Sequence, residues 1–231
     1  MQLFFCHTVN GVSAMLNEEE TRHLKVLRKQ TGDTIACVDG KGSRLQCRIV
    51  KLGKDFCELE VMSSEVMPAE RAYELHLFIA PTKNNERIEW MLEKAVEAGI
   101  DSVTLIDTDH SEKHRVNLTR LERIAISALK QSGRYYLPTI HALQKLSDVD
   151  LQAGFFFAHC AEDEKITLKQ IFKEAAPKGE YQVLVGPEGD FSAAEIQNMK
   201  DRGGKALSLG NARLRTETAG LYIAMTFSAL S

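Results

Sequence analysis

The chain has 231 residues, 44% hydrophobic and 26% charged, enough to bury one large core or two modest ones. That balance excludes an intrinsically disordered, collagenous or small disulfide-stapled protein. The formal charge of −3, from 32 acidic and 29 basic side chains, lacks the basic excess that usually marks a nucleic-acid-binding domain, but a whole-chain sum hides local runs.

In chain order, Leu3-Phe4-Phe5 reads as a strand. Asn17, followed by Glu18, Glu19 and Glu20, reads as the N-cap and acidic first turn of a helix reaching about Arg28. Thr34 to Val38 is a strand, Asp39-Gly40-Lys41-Gly42-Ser43 a hairpin turn, and Arg44 to Leu52 and Phe56 to Met62 two further strands. These predict a small β-rich barrel or sandwich with one helix. Cys37, Cys47 and Cys57 are spaced as positions on strands of one sheet, and no C-x-x-C pair or His/Cys cluster has zinc spacing, so no metal is expected.

The pattern changes around Ser63 to Arg71, which places a domain boundary near residue 70 and gives domains of 1–70 and 71–231. Downstream, strands alternate with helices. Leu75 to Ala80 is an apolar strand, and Ile88, Met91, Leu92, Ala95 and Val96 form a helical stripe stopped by Gly99. Val103 to Ile106 is a strand and Leu121, Ile124, Ala125, Ala128 and Leu129 a second stripe. Phe155 to Phe157, Val183 to Val185 and Ala206 to Leu209 read as buried strands, with Ser192-Ala193-Ala194-Glu195 a capping box between the last two. Leu221 to Leu230 is apolar on nearly every side and is expected to be buried, within the chain or in a dimer. Such alternation predicts an α/β domain with a parallel sheet covered by helices. No apolar run approaches the roughly 20 residues needed to span a bilayer, and Met1 to Phe5 lacks the basic start of a signal peptide. A cytoplasmic protein with reduced thiols and no membrane partner is expected.

The slightly acidic total conceals one strongly basic stretch. From Arg22 to Lys54, nine Lys and Arg face only Asp33 and Asp39, a local charge of +7. Such a run is either a solvated face or a phosphate-binding surface, in which basic side chains position a ligand without reading its sequence.

Two segments combine a strand, a glycine turn and a helix start. In the first, Val183-Leu184-Val185-Gly186-Pro187-Glu188-Gly189-Asp190-Phe191-Ser192, the glycines permit close backbone approach to a ligand and Pro187 stiffens the turn. It matches neither the dinucleotide fingerprint nor the P-loop. The second, Leu209-Gly210-Asn211-Ala212-Arg213-Leu214-Arg215-Thr216-Glu217-Thr218-Ala219-Gly220, crowds two guanidiniums and a carboxylate beside Thr216 and Thr218, either of which can cap the last helix.

Together these segments resemble the signatures I-G-P-E-G-G-F-S and L-G-x-R-x-L-R-T-E-T-A of the 16S ribosomal RNA uridine-N3 methyltransferases of the RsmE type, in the SPOUT superfamily. The resemblance extends along the chain through His23 to Arg28, through Lys94-Ala95-Val96-Glu97-Ala98-Gly99, and through Gln131-Ser132-Gly133-Arg134 with Pro138. The chain departs from the pattern at Asp190, where Gly is common, and at Asn211-Ala212-Arg213, where Pro-Arg-Val is commoner.

The resemblance implies an amino-terminal PUA-like RNA-binding barrel and a SPOUT-type α/β domain whose carboxy-terminal segment forms a trefoil knot. It further implies a homodimer that binds S-adenosylmethionine through Leu184, Val185, Gly186, Pro187, Glu188, Gly189, Leu209, Gly210, Asn211 and Leu214. The substrate would be 16S ribosomal RNA or the small ribosomal subunit. The reaction would methylate an imide nitrogen whose proton has to leave. A carboxylate with an ordinary pKa of about 4.3 is a poor base for that, so the site needs a tuned carboxylate or cations that stabilise the uracil anion. Arg215, Glu217 and Glu188 are the candidates, with Glu217 also placed to act as an electrostatic helix cap. Arg22, His23, Lys25, Arg28, Arg44, Lys83, Arg87 and Arg134 are candidate RNA contacts.

Trp90 is read as partly core or as a base-stacking side chain. His110 and His114 are read as surface residues, and His7, His76 and His159 as structural histidines on strands. Two other functions fit less of the pattern. One is a SPOUT enzyme acting on another site, such as a ribose 2′-hydroxyl; the other is a non-catalytic RNA-binding assembly factor.

Overall fold

The computed structural model describes residues 2–69, 71–112, 115–174 and 179–230. The chain forms two compact units, one comprising Met1–Glu70 and Ile126–Leu137, the other Arg71–Ala125 and Pro138–Ser231. Among the described residues, no helix is long and apolar enough to cross a membrane.

The first unit is built on a six-stranded sheet containing β1 (Leu3–Phe5), β2 (Thr8–Asn10), β3 (Ser13–Leu16), β4 (Thr34–Val38), β5 (Ser43–Leu52) and β6 (Cys57–Val66), in the order β1-β4-β5-β6-β3-β2. Only the β1–β4 pair is parallel. Two register shifts between β5 and β6, at Gln46/Cys47 and Ile49/Lys51, let these ten-residue strands bend, so the expected small barrel is one curled sheet. Alternate residues point inward. Phe4, Leu16, Ile35, Leu45, Ile49 and Leu59 meet Leu24 of helix α1 (Glu18–Val26) in the core. Cys37, Cys47 and Cys57 lie on β4, β5 and β6 as buried free thiols, which is the strand placement their spacing predicts.

Helix α1 starts where expected, with Asn17 Oδ1 accepting from the Glu20 N–H at 3.0 Å. It ends two residues before Arg28, which adopts a left-handed φ of 57°. The hairpin turn is tied by Asp39 Oδ1, which accepts from the N–H groups of Lys41 and Ser43. Gly40 accepts from Leu137 N–H and Gly42 donates to Tyr135, so the 135–137 segment joins the first unit through backbone bonds.

The second unit contains β7 (Tyr73–Ile79), α2 (Asn85–Ala98), β8 (Ser102–Asp107), α3 (Leu118–Ser132, its last turns in the first unit), β9 (Thr139–Lys145), β10 (Phe156–Ala158), β11 (Ile166–Thr167), α4 (Leu168–Glu174), β12 (Gly179–Val185), α5 (Ala193–Asp201), β13 (Lys205–Ser208) and α6 (Thr216–Ala229). Its seven strands run β11-β13-β10-β12-β7-β8-β9, and all neighbours are parallel, as the strand–helix alternation predicts.

Gly99 closes α2 at φ 89°, and Ser192 and Glu195 make both bonds of the capping box on α5. Helix α6 crosses β7 closely because residue 220 is glycine. A Cβ there would lie 2.9 Å from Ile79 Cδ1 and 3.3 Å from Leu77 Cδ2. Near its end, Phe227 packs edge-on against Tyr73, Phe172 and Tyr181, and the Tyr73 hydroxyl donates to its carbonyl at 2.6 Å.

Two sequence expectations change here. Helix α6 begins at Thr216, five residues earlier than the apolar run, and neither threonine caps it; Arg215 holds the cap position without a side-chain bond. Its apolar surface is also only partly covered. Ile223, Ala224 and Phe227 are buried, while Tyr222, Met225 and Leu230 are 42–49% exposed.

Candidate active site and RNA-facing residues

In a parallel sheet the loops that leave the carboxyl ends of adjacent strands converge on one edge. Those after β10, β12 and β13 enclose a cleft of about 450 Å³. Val185, Gly186, Pro187 and Glu188 form one wall, Leu209, Gly210, Asn211 and Leu214 another, and Arg213, Arg215 and Thr216 close one end. Of the ten residues expected to hold a cofactor, two stand apart. Leu184 is fully buried in the core with Phe157 and Phe191, and Gly189 faces His110, whose Cβ would be 3.1 Å from an added side chain.

The two glycine segments are bonded to each other. The Thr216 hydroxyl donates to the buried Gly186 carbonyl at 3.0 Å, and Arg213 Nη2 donates to the Glu188 carbonyl at 3.1 Å. His110, although exposed, braces the same loop, with Nδ1 at 3.1 and 3.0 Å from the carbonyls of Gly189 and Asp190. His114 lies outside the described residues. Asp190 has φ 66°, which explains why glycine suits the position. Its carboxylate offsets that strain by accepting from the N–H groups of Cys160 (2.8 Å) and Phe191 (2.9 Å).

His159, at the end of β10, lines the cleft with its ring buried against Phe157. Burial holds its pKa below the ordinary histidine value of 6.5, and Lys165 and Lys200 push the same way against Asp163 and Asp190. Sequence reasoning placed it on a strand as a structural residue. The signal it missed is position, since the residue just after a buried parallel strand lies at the ligand edge.

The catalytic candidates occupy linked but distinct places. Arg215 lines both the cleft and a neighbouring groove of about 520 Å³ that contains Arg87, Trp90 and Glu217. Glu217 is buried in the first turn of α6, with Oε1 3.7 Å from Arg87 Nε and Oε2 lacking a hydrogen-bond partner among the described residues. Glu188 reaches the opposite way, its Oε1 accepting from the Lys83 N–H at 3.3 Å. Lys83 Nζ pairs with Glu112 at 2.8 Å, which raises its pKa.

The basic stretch of the first unit is partly neutralised. Arg22 pairs with Glu18 (2.6 Å), Arg48 with Glu60 (2.5 Å) and Lys51 with Glu58 (3.6 Å), all acids outside the stretch. The sequence count of +7 therefore overstates the local field. Arg44 lies opposite Glu65 in the β5–β6 register, and Lys25 Nζ donates to the Lys54 carbonyl. His23 packs against Phe4 and bonds Gln2, while Arg28 is exposed. Arg134 follows Gly133 (φ 73°) just past α3. Among the described residues, no group of three or more His, Cys, Asp or Glu could hold a metal ion.

A parallel α/β sheet with a ligand cleft at its looped edge, in a chain that also carries a small curled β unit, is the architecture of a small-molecule-binding α/β protein, and comparison with known proteins gives the family. Residues 69–228 match the RNA methyltransferase domain, and residues 16–62 match the RNA methyltransferase PUA domain. The chain belongs to this RNA methyltransferase family. It is 35% identical to a "probable rRNA-methyltransferase" of Porphyromonas gingivalis, whose crystal structure superposes with a TM-score of 0.87 over 100% of this chain and 98% of that one. The Neisseria gonorrhoeae ribosomal RNA small subunit methyltransferase E, solved bound to S-adenosyl methionine, is 27% identical with a TM-score of 0.83, covering 100% and 98%. The Bacillus subtilis ribosomal RNA small subunit methyltransferase E is 27% identical over 88% of this chain and 85% of its own.

Proposed function

We propose that the protein transfers a methyl group from S-adenosylmethionine to the N3 atom of a uridine in 16S ribosomal RNA, acting as a cytoplasmic homodimer. The observation that carries this reading is the shared wall. Arg215 borders both the cleft, which suits a nucleoside-containing donor, and the groove that buries Glu217. The donor set fits such a molecule: backbone of two glycine turns, the side chain of Asn211, and apolar Val185, Leu209 and Leu214. Gly210 takes φ 118°, and a Cβ there would meet nothing within 4 Å, so that turn leaves open space beside the cleft. The solved Neisseria gonorrhoeae relative, bound to S-adenosyl methionine, supports the same donor.

The donor, when bound, supplies an electrophilic methyl on a sulfonium. The chain does the rest. Gly186, Pro187, Gly210 and Leu214 hold the donor, with Leu184 and Gly189 supporting that wall from behind. Arg215 faces the developing negative charge at a uracil carbonyl, and Glu217 accepts the imide proton. Glu188 orients the glycine loop through Lys83 and Arg213 rather than handling the proton. Lys25, Arg28 and Arg44 of the first unit, with Arg87 and Arg134, hold RNA. His23, tied to Gln2, and Arg22 and Lys83, each tied to a glutamate, contribute less. The exposed apolar face of α6, with Tyr222, Met225 and Leu230, is the surface for the second copy. The segment after β13 is where the trefoil knot forms.

Methyl transfer to purified small ribosomal subunits, followed by mass spectrometry of the nucleosides, tests this. Formation of 3-methyluridine that falls at least about a hundredfold in Arg215→Ala and Glu217→Gln is expected, in line with removal of a transition-state donor or base. Near-normal kcat in both variants removes the assignment, a 2′-O-methyl product replaces the target atom, and failure to bind donor leaves an assembly factor.

A further inference from the structure

The groove beside the cleft holds two features that packing does not explain. Trp90, the only tryptophan of the chain, is 47% exposed on α2 and lines this groove. In the same groove, Glu217 is 6% exposed and its Oε2 has no hydrogen-bond partner among the described residues. A buried carboxylate oxygen left unpaired is costly, so it marks a place where a donor from outside the chain belongs. A half-exposed indole marks a place for a flat apolar face.

We infer that this groove is the subsite for the target base, with Trp90 stacking on the ring and Arg87, Glu217 and Arg215 reading its edge. The inference rests on the uridine reading above and adds which residues select the base. The imide edge of uracil presents carbonyl, N–H, carbonyl, that is acceptor, donor, acceptor. Arginine can only donate, and an ionised glutamate can only accept. Arg87, with Nε 3.7 Å from Glu217 Oε1, and Arg215, which lines the groove and the cleft, therefore bring two sets of donors into one groove with one acceptor. Cytosine presents an amino group where uracil has one carbonyl and a bare ring nitrogen where uracil has N–H. Against this set the amino group faces a guanidinium and the nitrogen faces a carboxylate, so both contacts are repulsive. A site built to bond an N–H rejects an analogue lacking it far more strongly than an apolar pocket rejects a missing methyl. Because Arg215 borders both spaces, the edge being read is also the edge turned toward the donor.

The single tryptophan makes the subsite directly observable. Full-length protein with S-adenosylhomocysteine bound is titrated with polyuridylate and polycytidylate of equal length, reading Trp90 emission, while labelled RNA reports total binding by anisotropy. The equal phosphate charge of the two polymers cancels backbone attraction. Saturable quenching by polyuridylate at an affinity about tenfold or more above polycytidylate is expected, and Arg87→Ala should bring the two together. In methyl transfer, Trp90→Ala should raise KM about tenfold, the scale of one lost base stack, while Trp90→Phe recovers most of it. Emission unchanged while anisotropy shows RNA bound overturns the inference, as does emission that follows protein concentration instead, which places a second copy over Trp90. Absence of donor binding or of methyl transfer would refute the proposed function instead, and the base preference of the quenching is then read on the protein alone.

Discussion

Thr216→Val should weaken donor binding by opening the seam between the two glycine segments. The Thr216 hydroxyl is buried and donates to the Gly186 carbonyl at 3.0 Å, so the bond joins the start of α6 to the turn after β12. Valine keeps the shape and removes the donor, leaving a buried carbonyl without its partner. Such a loss costs about 1–3 kcal/mol, more than the net worth of about 1 kcal/mol of an ordinary hydrogen bond, because the acceptor stays desolvated. Both elements line the cleft, so the penalty falls on the geometry that binds the donor. If all of it appears there, affinity falls by about 5- to 150-fold, at about 1.4 kcal/mol per factor of ten. Calorimetric titration with S-adenosylmethionine reads the affinity and urea denaturation reads the remainder as lost stability. Thr216→Ser, which keeps the hydroxyl, should remain near wild type. Affinity within about twofold of wild type together with unchanged stability in Thr216→Val would refute the idea that this bond organises the cleft.

At Asp190, backbone and side chain pull in opposite directions. Asp190→Gly relieves about 1 kcal/mol of left-handed strain while losing the bonds to Cys160 and Phe191, so it should lie close to wild type in urea denaturation; Asp190→Ala keeps the strain and loses the bonds, and should be the least stable of the three. His159 has its pKa lowered mainly by burial, so the unfolded chain binds its proton at higher pH than the folded one does. Stability should therefore be intact above the unfolded value of about 6.5 and decline as pH falls below it, a decline that His159→Gln should reduce when urea midpoints are compared between pH 7.5 and 5.5. Arg28→Gly removes a bulky residue from φ 57° and should stabilise the fold by about 1 kcal/mol, while lowering RNA affinity and the slope of its salt dependence by about one. Unchanged salt dependence would remove Arg28 from the RNA surface.

What could be read from residues alone follows from how local the cause is. The Ser192–Glu195 capping box, the Gly99 stop and the apolar runs at Val183 to Val185 and Leu75 to Ala80 are written in a few adjacent residues, and each became the expected element. Strand β9 escaped notice because Thr139 to Lys145 is half exposed at the sheet edge and carries no apolar run; β11, two residues long, and α4 are too short to show a period. The glycine turns were legible because each lies in a few adjacent residues between a strand and a helix start, where Gly186 and Gly189 leave room for Phe191 and His110 and Gly210 takes φ 118°. The Trp90–Glu217 groove was not, since it exists only where α2 and the start of α6 meet across β7. Charge behaves likewise. A count along the chain adds Arg48 and Lys51 to a basic run, whereas the β5–β6 register sets them beside Glu60 and Glu58.

The joining of residues 135–137 to the hairpin turn at Gly40 and Gly42 bears on how the protein is made. Chains fold largely from the amino end as they leave the ribosome, at about 5–20 residues per second. The first unit is not complete when residue 70 emerges, because Ile126–Leu137 arrives only after β7, α2 and β8 have already been synthesised. For several seconds the curled sheet waits with that flank open, while the earliest strands of the second unit are complete but lack β10, β12 and β13. The two units are therefore completed in overlap, and a chain released near residue 70 would hold the whole curled sheet but lack the segment that covers its hairpin turn.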